Sequence, residues 1–158
     1  MTARVIGALA VVLALAAATP PGARADGDCA QQHRRVRVPG GFADGRLSFV
    51  GVTTSGRSRA GSEFPGDSLR ELRIVADWTE LDRVHHQRVE VSSPDGSLYQ
   101  RFTDAFAGTG RPLSVTTRLP VNGTAIVDAG LYGEWCVELF LDDEEAPIAR
   151  RGFVLTAP

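Results

Sequence analysis

The chain has 158 residues, a length that fits one domain and a short accessory segment. Its 17 cationic side chains are all arginine and it carries 19 acidic residues, which gives a net charge of −2. This mildly acidic balance argues against nucleic-acid binding, which requires a basic face, and against docking on anionic lipid. Because the chain contains no lysine, Schiff-base chemistry through a lysine amine is excluded.

The first 25 residues have the pattern of a cleaved signal peptide. Arg4 precedes a charge-free apolar run over 5–18, and Ala23-Arg24-Ala25 has the small-residue spacing of a cleavage site. The run is shorter than the roughly 20 residues that span a bilayer. A lipid-modified cysteine would be preceded by small apolar residues, whereas Asp26, Gly27 and Asp28 precede Cys29, which argues against a lipid anchor. We therefore predict an exported, bacterial-type protein, periplasmic or extracellular, whose mature chain starts at residue 26 and has no membrane span.

Cys29 and Cys136 are the only cysteines in the sequence. In the oxidising compartment that an export signal implies, two cysteines predict one disulfide. A reactive catalytic cysteine is the alternative.

Two units are predicted after the signal peptide. Residues 26–44 are a lead-in, in which alternating valine and arginine up to Val38 predict a short edge strand before the turn Pro39-Gly40-Gly41. Residues 45–158 are the main domain, where apolar and polar residues alternate with period two. The strands expected there cover 47–52, 69–78, 84–91, 98–102, 112–121, 124–127, 135–141 and 148–155.

Turn residues separate these predicted strands. The stretch from Thr53 to Asp67 is rich in Ser, Gly and Arg and predicts a long mobile loop. Ser93-Pro94-Asp95-Gly96 predicts a tight turn, and Asn122-Gly123 predicts a two-residue hairpin. About seven or eight short strands with no sustained helical periodicity predict an all-β antiparallel sandwich.

The segment 128–139 reads Asp-Ala-Gly-Leu-Tyr-Gly-Glu-Trp-Cys-Val-Glu-Leu. It resembles the penultimate strand of immunoglobulin-like domains, where a tyrosine corner leads into a strand that carries a cysteine. The resemblance covers Arg46 to Ala157 and implies an immunoglobulin-like β-sandwich of the kind found in bacterial secreted and periplasmic proteins. Cys136 follows Tyr132 by four positions instead of two, so a bridge to Cys29 would tether the lead-in rather than join the two sheets. The resemblance implies a fold and leaves the function open.

The histidines do not form a metal motif. His85 and His86 are neighbours on a predicted strand, so their side chains point to opposite faces and cannot bind one ion together. His33 is far away in sequence, and both cysteines are assigned to the disulfide. We predict no metal and no other cofactor.

Three further chemistries are weighed against structural explanations. The run Asp142-Asp143-Glu144-Glu145 offers oxygens to Ca²⁺ but lacks the spacing of a calcium loop, and a solvated turn explains it. The aromatic residues suggest a sugar-stacking platform, but their positions favour burial in the core; they are Trp78, Tyr99, Tyr132 and Trp135. A hydrolase would need a placed nucleophile, and the chain has no Gly-x-Ser-x-Gly elbow.

These observations predict a non-enzymatic protein-interaction module whose partner is another envelope or extracellular protein. It would act through strand edges or through the loop from Thr53 to Asp67, where Arg57 and Arg59 would face an acidic partner. A flexible connector is the other explanation of that loop. The alternative function is a carbohydrate- or calcium-dependent ligand-binding sandwich, which an exposed aromatic pair would favour. A secreted hydrolase, with a deep pocket at His85 or His86, comes third.

Overall fold

The computed structural model of the chain describes residues 29–39 and 41–158. The predicted signal peptide, 1–25, lies outside the described residues. The described part contains one four-residue helix, α1 (Ala125–Asp128), and eleven strands. The strands are β1 (Gln32–His33), β2 (Arg35–Val38), β3 (Gly41–Thr53), β4 (Ser58–Ala60), β5 (Glu63–Pro65), β6 (Leu69–Leu81), β7 (Val84–Ser92), β8 (Leu98–Ala107), β9 (Arg111–Pro120), β10 (Gly133–Leu141) and β11 (Ala149–Thr156).

The strands form two sheets that pack face to face. Sheet I has the order β1-β11-β10-β7-β8, and β5 pairs with β11. Sheet II has the order β2-β3-β6-β9, and β4 pairs with β3. Every strand pair in the described part is antiparallel except β5 with β11. The predicted all-β antiparallel sandwich is confirmed.

Period-two alternation places the apolar side chains between the sheets. In β6, Leu72, Ile74 and Trp78 are fully buried, whereas Asp77 is exposed. Aromatic rings also join the sheets at a second place. Trp135 stacks on Phe153 with ring centroids 5.9 Å apart, and Phe153 meets Phe49 edge-on at 5.3 Å. These contacts join sheet I to β3 of sheet II and fix the core.

The predicted disulfide between Cys29 and Cys136 is present, with the two Cα atoms 5.3 Å apart. It attaches the N-terminal segment to β10. The neighbouring strand β11 leaves room for it at Gly152, where an added Cβ would lie only 3.3 Å from the Cys29 Cβ. The disulfide therefore holds the segment that precedes β1 against sheet I.

The N-terminal region is more closely integrated than its sequence suggests. The short edge strand predicted there is β2, which pairs antiparallel with the start of β3. β3 begins at Gly41 instead of Leu47, because Ala43 is fully buried and Asp44 bonds to His33 and pairs with Arg35 across the hairpin. Residues 41–44 of the predicted lead-in are thus part of sheet II.

The segment from Thr53 to Asp67 is not a loop without strands, and that prediction is wrong. β4 pairs with Val50–Val52 of β3, and β5 pairs with β11 at Val154–Thr156. Phe64 is 2% exposed and packs over Gly51, where an added Cβ would lie 2.5 Å from its ring. One buried aromatic ring and a glycine that accommodates it therefore anchor this segment across both sheets. We call residues 53–67 the β4–β5 flap.

The strand predicted over 124–127 is also wrong, because Ala125–Asp128 form α1 and Thr124 is its N-cap. The Thr124 hydroxyl donates to the Val121 carbonyl at 2.7 Å and accepts from the Ile126 N–H at 3.3 Å, which caps the helix start. Ile126 is fully buried and closes one end of the core. Asn122 and Gly123 form a turn, as predicted, but the turn leads into α1 instead of a strand. No helix in the described ranges is long and apolar enough to cross a membrane.

Candidate functional site

The clearest candidate for a binding site is the outer edge of β8. This ten-residue strand ends sheet I, and none of the described strands pairs with its outer side. Free strand edges present unpaired N–H and C=O groups, to which a segment of another chain can add as an extra strand.

The register identifies which backbone groups of β8 face outward. His86 accepts a hydrogen bond from the Asp142 N–H at 2.7 Å and donates to Asp142 Oδ1 at 2.9 Å, so its backbone groups point away from β8. Ala105 lies opposite His86. Opposed residues of an antiparallel pair are alternately hydrogen-bonded to each other and not, so Ala105 also directs its N–H and C=O away from β7. The other β8 residues with this orientation are Arg101, Thr103 and Ala107.

The inner face of β8 is half-buried and partly polar. Phe106 stacks on Trp78 with ring centroids 5.8 Å apart. The Trp78 indole donates to Gln87 Oε1 at 3.0 Å, and Gln87 Nε2 donates to the Thr117 hydroxyl at 3.4 Å. That hydroxyl donates to Asp104 on β8 at 3.1 Å. This chain of polar contacts links both sheets and holds β8 in place.

The edge of β9 lies on the same side of the sandwich but is better protected. Pro112 and Pro120 stand near its two ends, and proline blocks strand addition. Its outward backbone groups include those of Thr116. The Leu47 carbonyl accepts a 2.8 Å hydrogen bond from Arg151, so the backbone groups of Leu47 point away from β6. Leu47 lies opposite Ala76, which therefore directs its backbone groups toward Val115 on β9. Thr116, the next residue, directs its groups outward.

β8 has little protection of this kind. It contains no proline, and its two charged residues are already engaged. Arg101 donates to Glu90 on β7 at 2.9 Å, and Asp104 points inward to Thr117. The exposed residues between them and beyond are small: Thr103, Ala105 and Ala107. On the exposed face of this stretch, a partner strand would meet only these small side chains.

The predicted interaction residues Arg57 and Arg59 lie in the β4–β5 flap, on the opposite side of the sandwich from β8. Both are exposed. Arg59 pairs with Gly51 in the β3–β4 ladder and donates from Nη2 to the Glu63 carbonyl at 3.1 Å. Arg59 therefore contributes to the structure of the flap. The structure does not bring either arginine to the β8 edge.

The two neighbouring histidines face opposite sides of sheet I, as predicted. His85 is 1% exposed and its Nδ1 lies 2.8 Å from Asp142 Oδ2, whereas His86 is exposed. Partial burial opposes ionisation of Asp142, but hydrogen bonds from the His86 backbone and the His85 ring, with the charge of Arg83, lower the pKa of Asp142. His86 lines a groove of about 670 Å³ together with Asp142, Asp143 and Thr103, among other residues.

The acidic turn weighed as a calcium ligand has partners within the protein. The Asp142 carboxylate contacts the His85 ring and accepts a hydrogen bond from the His86 backbone N–H. Glu144 accepts a 2.7 Å hydrogen bond from Arg34 Nη2. Among the described residues, no group of three or more His, Cys, Asp or Glu side chains is placed to hold a metal ion. The turn closes β10 onto β11 and fixes the N-terminal segment through Arg34.

The aromatic residues weighed as a sugar platform are packed in the core. Trp78 and Trp135 are at most 1% exposed. Tyr99 is half-buried and meets Trp135 edge-on at 5.2 Å, and Tyr132 is half-buried beside Gly66. The predicted burial of these four residues is confirmed for the tryptophans and partial for the tyrosines.

The sequence analysis missed the C-terminal half of β8, because it ended this strand at Phe102. The structure continues the strand to Ala107. The signal was present in the alternation of Phe102, Asp104 and Phe106 with smaller residues, but an inward-facing aspartate interrupts the apolar pattern. Asp104 is accommodated because Thr117 supplies its hydrogen bond.

Comparison with known proteins adds no family. No protein-family model matches the chain, and no curated protein matches it.

Proposed function

We propose that this protein is an exported, non-enzymatic protein-interaction module of the immunoglobulin-like β-sandwich kind, periplasmic or extracellular in a bacterium. Its partner is another envelope or extracellular protein, which contributes an extended segment that pairs with β8. The observation that carries the proposal is the long β8 edge, with outward backbone groups and small exposed side chains.

The physical basis is backbone pairing. The four residues from Arg101 to Ala107 with outward backbone groups offer four donors and four acceptors at the spacing that another strand requires. Backbone pairing of this kind supplies affinity, and the side chains next to it supply specificity. Phe102 and Phe106, both half-buried at the open side of the core, are the side chains beside which a partner's apolar residues would pack.

Export is supported by the N-terminal sequence pattern, and the Cys29–Cys136 disulfide suits an oxidising compartment. Among the described residues, both tryptophans are buried and both tyrosines are half-buried, which does not favour the carbohydrate-binding alternative.

The test is a selection of peptides from a displayed random library against the mature protein, followed by affinity measurements on Ala105→Pro. This substitution removes one outward N–H without breaking the β7–β8 ladder, and it obstructs an added strand. We expect it to weaken the selected peptides by about tenfold or more, since a lost hydrogen bond and a steric block act together. Thr116→Pro is the matched control, because it makes the same change on β9.

Equal affinities of wild type and Ala105→Pro would contradict the proposal, provided that both proteins have the same thermal midpoint. Loss of binding in Thr116→Pro with retention in Ala105→Pro would place the site on β9 instead.

A further inference from the structure

The edge of sheet II opposite β9 has an uncovered stretch at its centre. β2 pairs with Gly41–Asp44 of β3 and β4 pairs with Val50–Val52, and the Phe49 carbonyl accepts a 3.2 Å hydrogen bond from the Gly61 N–H. In the described part, residues 45–48 therefore have no backbone beside them on this side. The Leu47 carbonyl points into this gap, where it accepts the 2.8 Å hydrogen bond from Arg151. Arg151 belongs to β11, so its side chain crosses from sheet I to sheet II.

A cleft of about 420 Å³ opens at the gap. We call it the seam cleft because it lies where β11 of sheet I meets β3 of sheet II. Its lining is polar apart from Leu47, which distinguishes it from the apolar clefts that bind most small ligands. The lining residues are Gln31, Gln32, His33, Arg46, Leu47, Ser48, Asp77, Arg150 and Arg151.

Three arginines line this one cleft, and two of them, Arg46 and Arg151, have no ion-pair partner among the described residues. Arg150 donates from Nε and Nη2 to Glu138, at 3.0 and 2.5 Å. Arg151 uses Nη1 on the Leu47 carbonyl. Arg46 is exposed, and the described ion pairs do not include it. It is therefore available to an external anion.

Among the described residues, the only carboxylate that lines the cleft is Asp77, which stands opposite Arg46 in the β3–β6 ladder. Its Oδ1 accepts a 2.5 Å hydrogen bond from the Ser114 hydroxyl on the far side, toward β9. The cleft therefore has an excess of positive charge, although the protein as a whole is acidic.

We propose that the seam cleft binds carboxylate side chains of an extended acidic polypeptide segment. A guanidinium presents its N–H donors in a planar fork that matches a carboxylate, and such charge-assisted bonds are among the strongest in proteins. The uncovered stretch of β3 leaves room for an extended segment beside Arg46. Because the Leu47 carbonyl in this stretch is already bonded to Arg151, recognition depends on the segment's carboxylate side chains rather than on backbone pairing. This inference does not rest on binding at β8, which is on the opposite side of the sandwich.

The test uses three probes and four proteins. The probes are a blocked synthetic peptide of alternating threonine and glutamate, the same peptide with glutamine, and glutarate as a free dicarboxylate. The proteins are the wild type, Arg46→Gln, Asp77→Asn and, as matched control, Arg118→Gln, which removes an exposed arginine from β9 at the other edge of the same sheet. Binding is measured by isothermal titration calorimetry, and thermal melts check that each variant is folded.

We expect the glutamate peptide to bind the wild type at least about tenfold more tightly than the glutamine peptide. Arg46→Gln weakens that binding by about tenfold or more, and Arg118→Gln leaves it unchanged. Asp77→Asn strengthens that binding, because it removes from the cleft a negative charge that repels the glutamates of the peptide. This gain of binding cannot result from misfolding. Raising the salt concentration weakens the glutamate peptide and not the glutamine peptide.

Equal binding of the two peptides, or no binding of either, would overturn the proposal. Binding that is weakened as much by Arg118→Gln as by Arg46→Gln would show general charge attraction and would also overturn it. If glutarate binds as tightly as the glutamate peptide, the ligand is a free dicarboxylate and the assignment to a polypeptide is wrong.

Discussion

Replacing Cys29 and Cys136 together by serine is expected to destabilise the protein by several kcal/mol. The disulfide joins residues separated by 107 positions. In the chain-entropy relation, closing a loop of this length costs the unfolded chain about 16 cal/mol/K, which corresponds to about 4.8 kcal/mol at room temperature. This is a large part of the about 5–15 kcal/mol by which domains are usually stable.

The assay is equilibrium unfolding in urea, followed by the fluorescence of the two buried tryptophans, Trp78 and Trp135. With a slope of about 2 kcal/mol per molar urea, the midpoint should fall by about 2.4 M. Wild-type protein with the disulfide chemically reduced is the control, because it loses the bond but keeps both sulfur atoms. It should behave as the double variant does.

A midpoint lower by less than about 0.5 M would refute this reasoning, since it corresponds to about 1 kcal/mol. The bond would then add little beyond the contacts that already hold the N-terminal segment, such as the Arg34 hydrogen bonds to Glu144 and to the Pro147 carbonyl.

Three other results are expected. Gly51→Ala should destabilise the protein by about 1–3 kcal/mol in urea unfolding, because its methyl group would collide with the buried ring of the β4–β5 flap. Gly61→Ala, whose added Cβ would make only ordinary contacts at 4.0 Å, should be nearly neutral, and equal effects would contradict the packing of the flap. Gln87→Leu should cost about 1–3 kcal/mol because the buried Trp78 indole N–H loses its acceptor, and a neutral result would mean that this hydrogen bond contributes nothing net. The pKa of Asp142 is lowered in the folded state, so the stability that its charge provides is present above about pH 3.8 and is lost as the pH falls through the folded-state pKa. The stability difference between wild type and Asp142→Asn should therefore shrink on acidification, and a difference that grows would contradict the assigned direction.

The sequence predicts the long strands because their side chains alternate with period two. Leu72, Ile74, Ala76 and Trp78 follow this period, and all are buried on one face of β6. The turn at Ser93–Gly96 is also correctly placed, since it joins β7 to β8. In that turn, hydrogen bonds from Ser93 and Ser97 lower the pKa of Asp95 to about 2.

The failures occur where tertiary packing overrides a local signal. The β4–β5 flap is rich in Ser, Gly and Arg, and one buried ring, Phe64, decides its conformation. At α1, burial of Ile126 and capping by Thr124 prevail over the hairpin pattern of Asn122-Gly123. The Phe64 ring packs over Gly51, 13 positions earlier, and a local sequence pattern does not indicate such a contact.

The sequence predicts the type of each candidate site but not the residues that form it. Strand edges and an arginine that meets an acidic partner were both expected, but the expected arginines, Arg57 and Arg59, are not those of the seam cleft. Arg46 and Arg151 meet there because β3 and β11 face each other across the two sheets, a contact between residues more than 100 positions apart. The hydrophobic periodicity and the composition of a sequence do not indicate which strands of two sheets lie next to each other.

The most direct test of binding at β8 is amide hydrogen exchange, measured by NMR, with and without a peptide selected against the mature protein. We predict new protection at the outward amides of Arg101, Thr103, Ala105 and Ala107, and no change at Asp104, which is already paired with β7. Unchanged exchange along β8 in a saturated complex, or protection confined to another strand, would contradict this prediction.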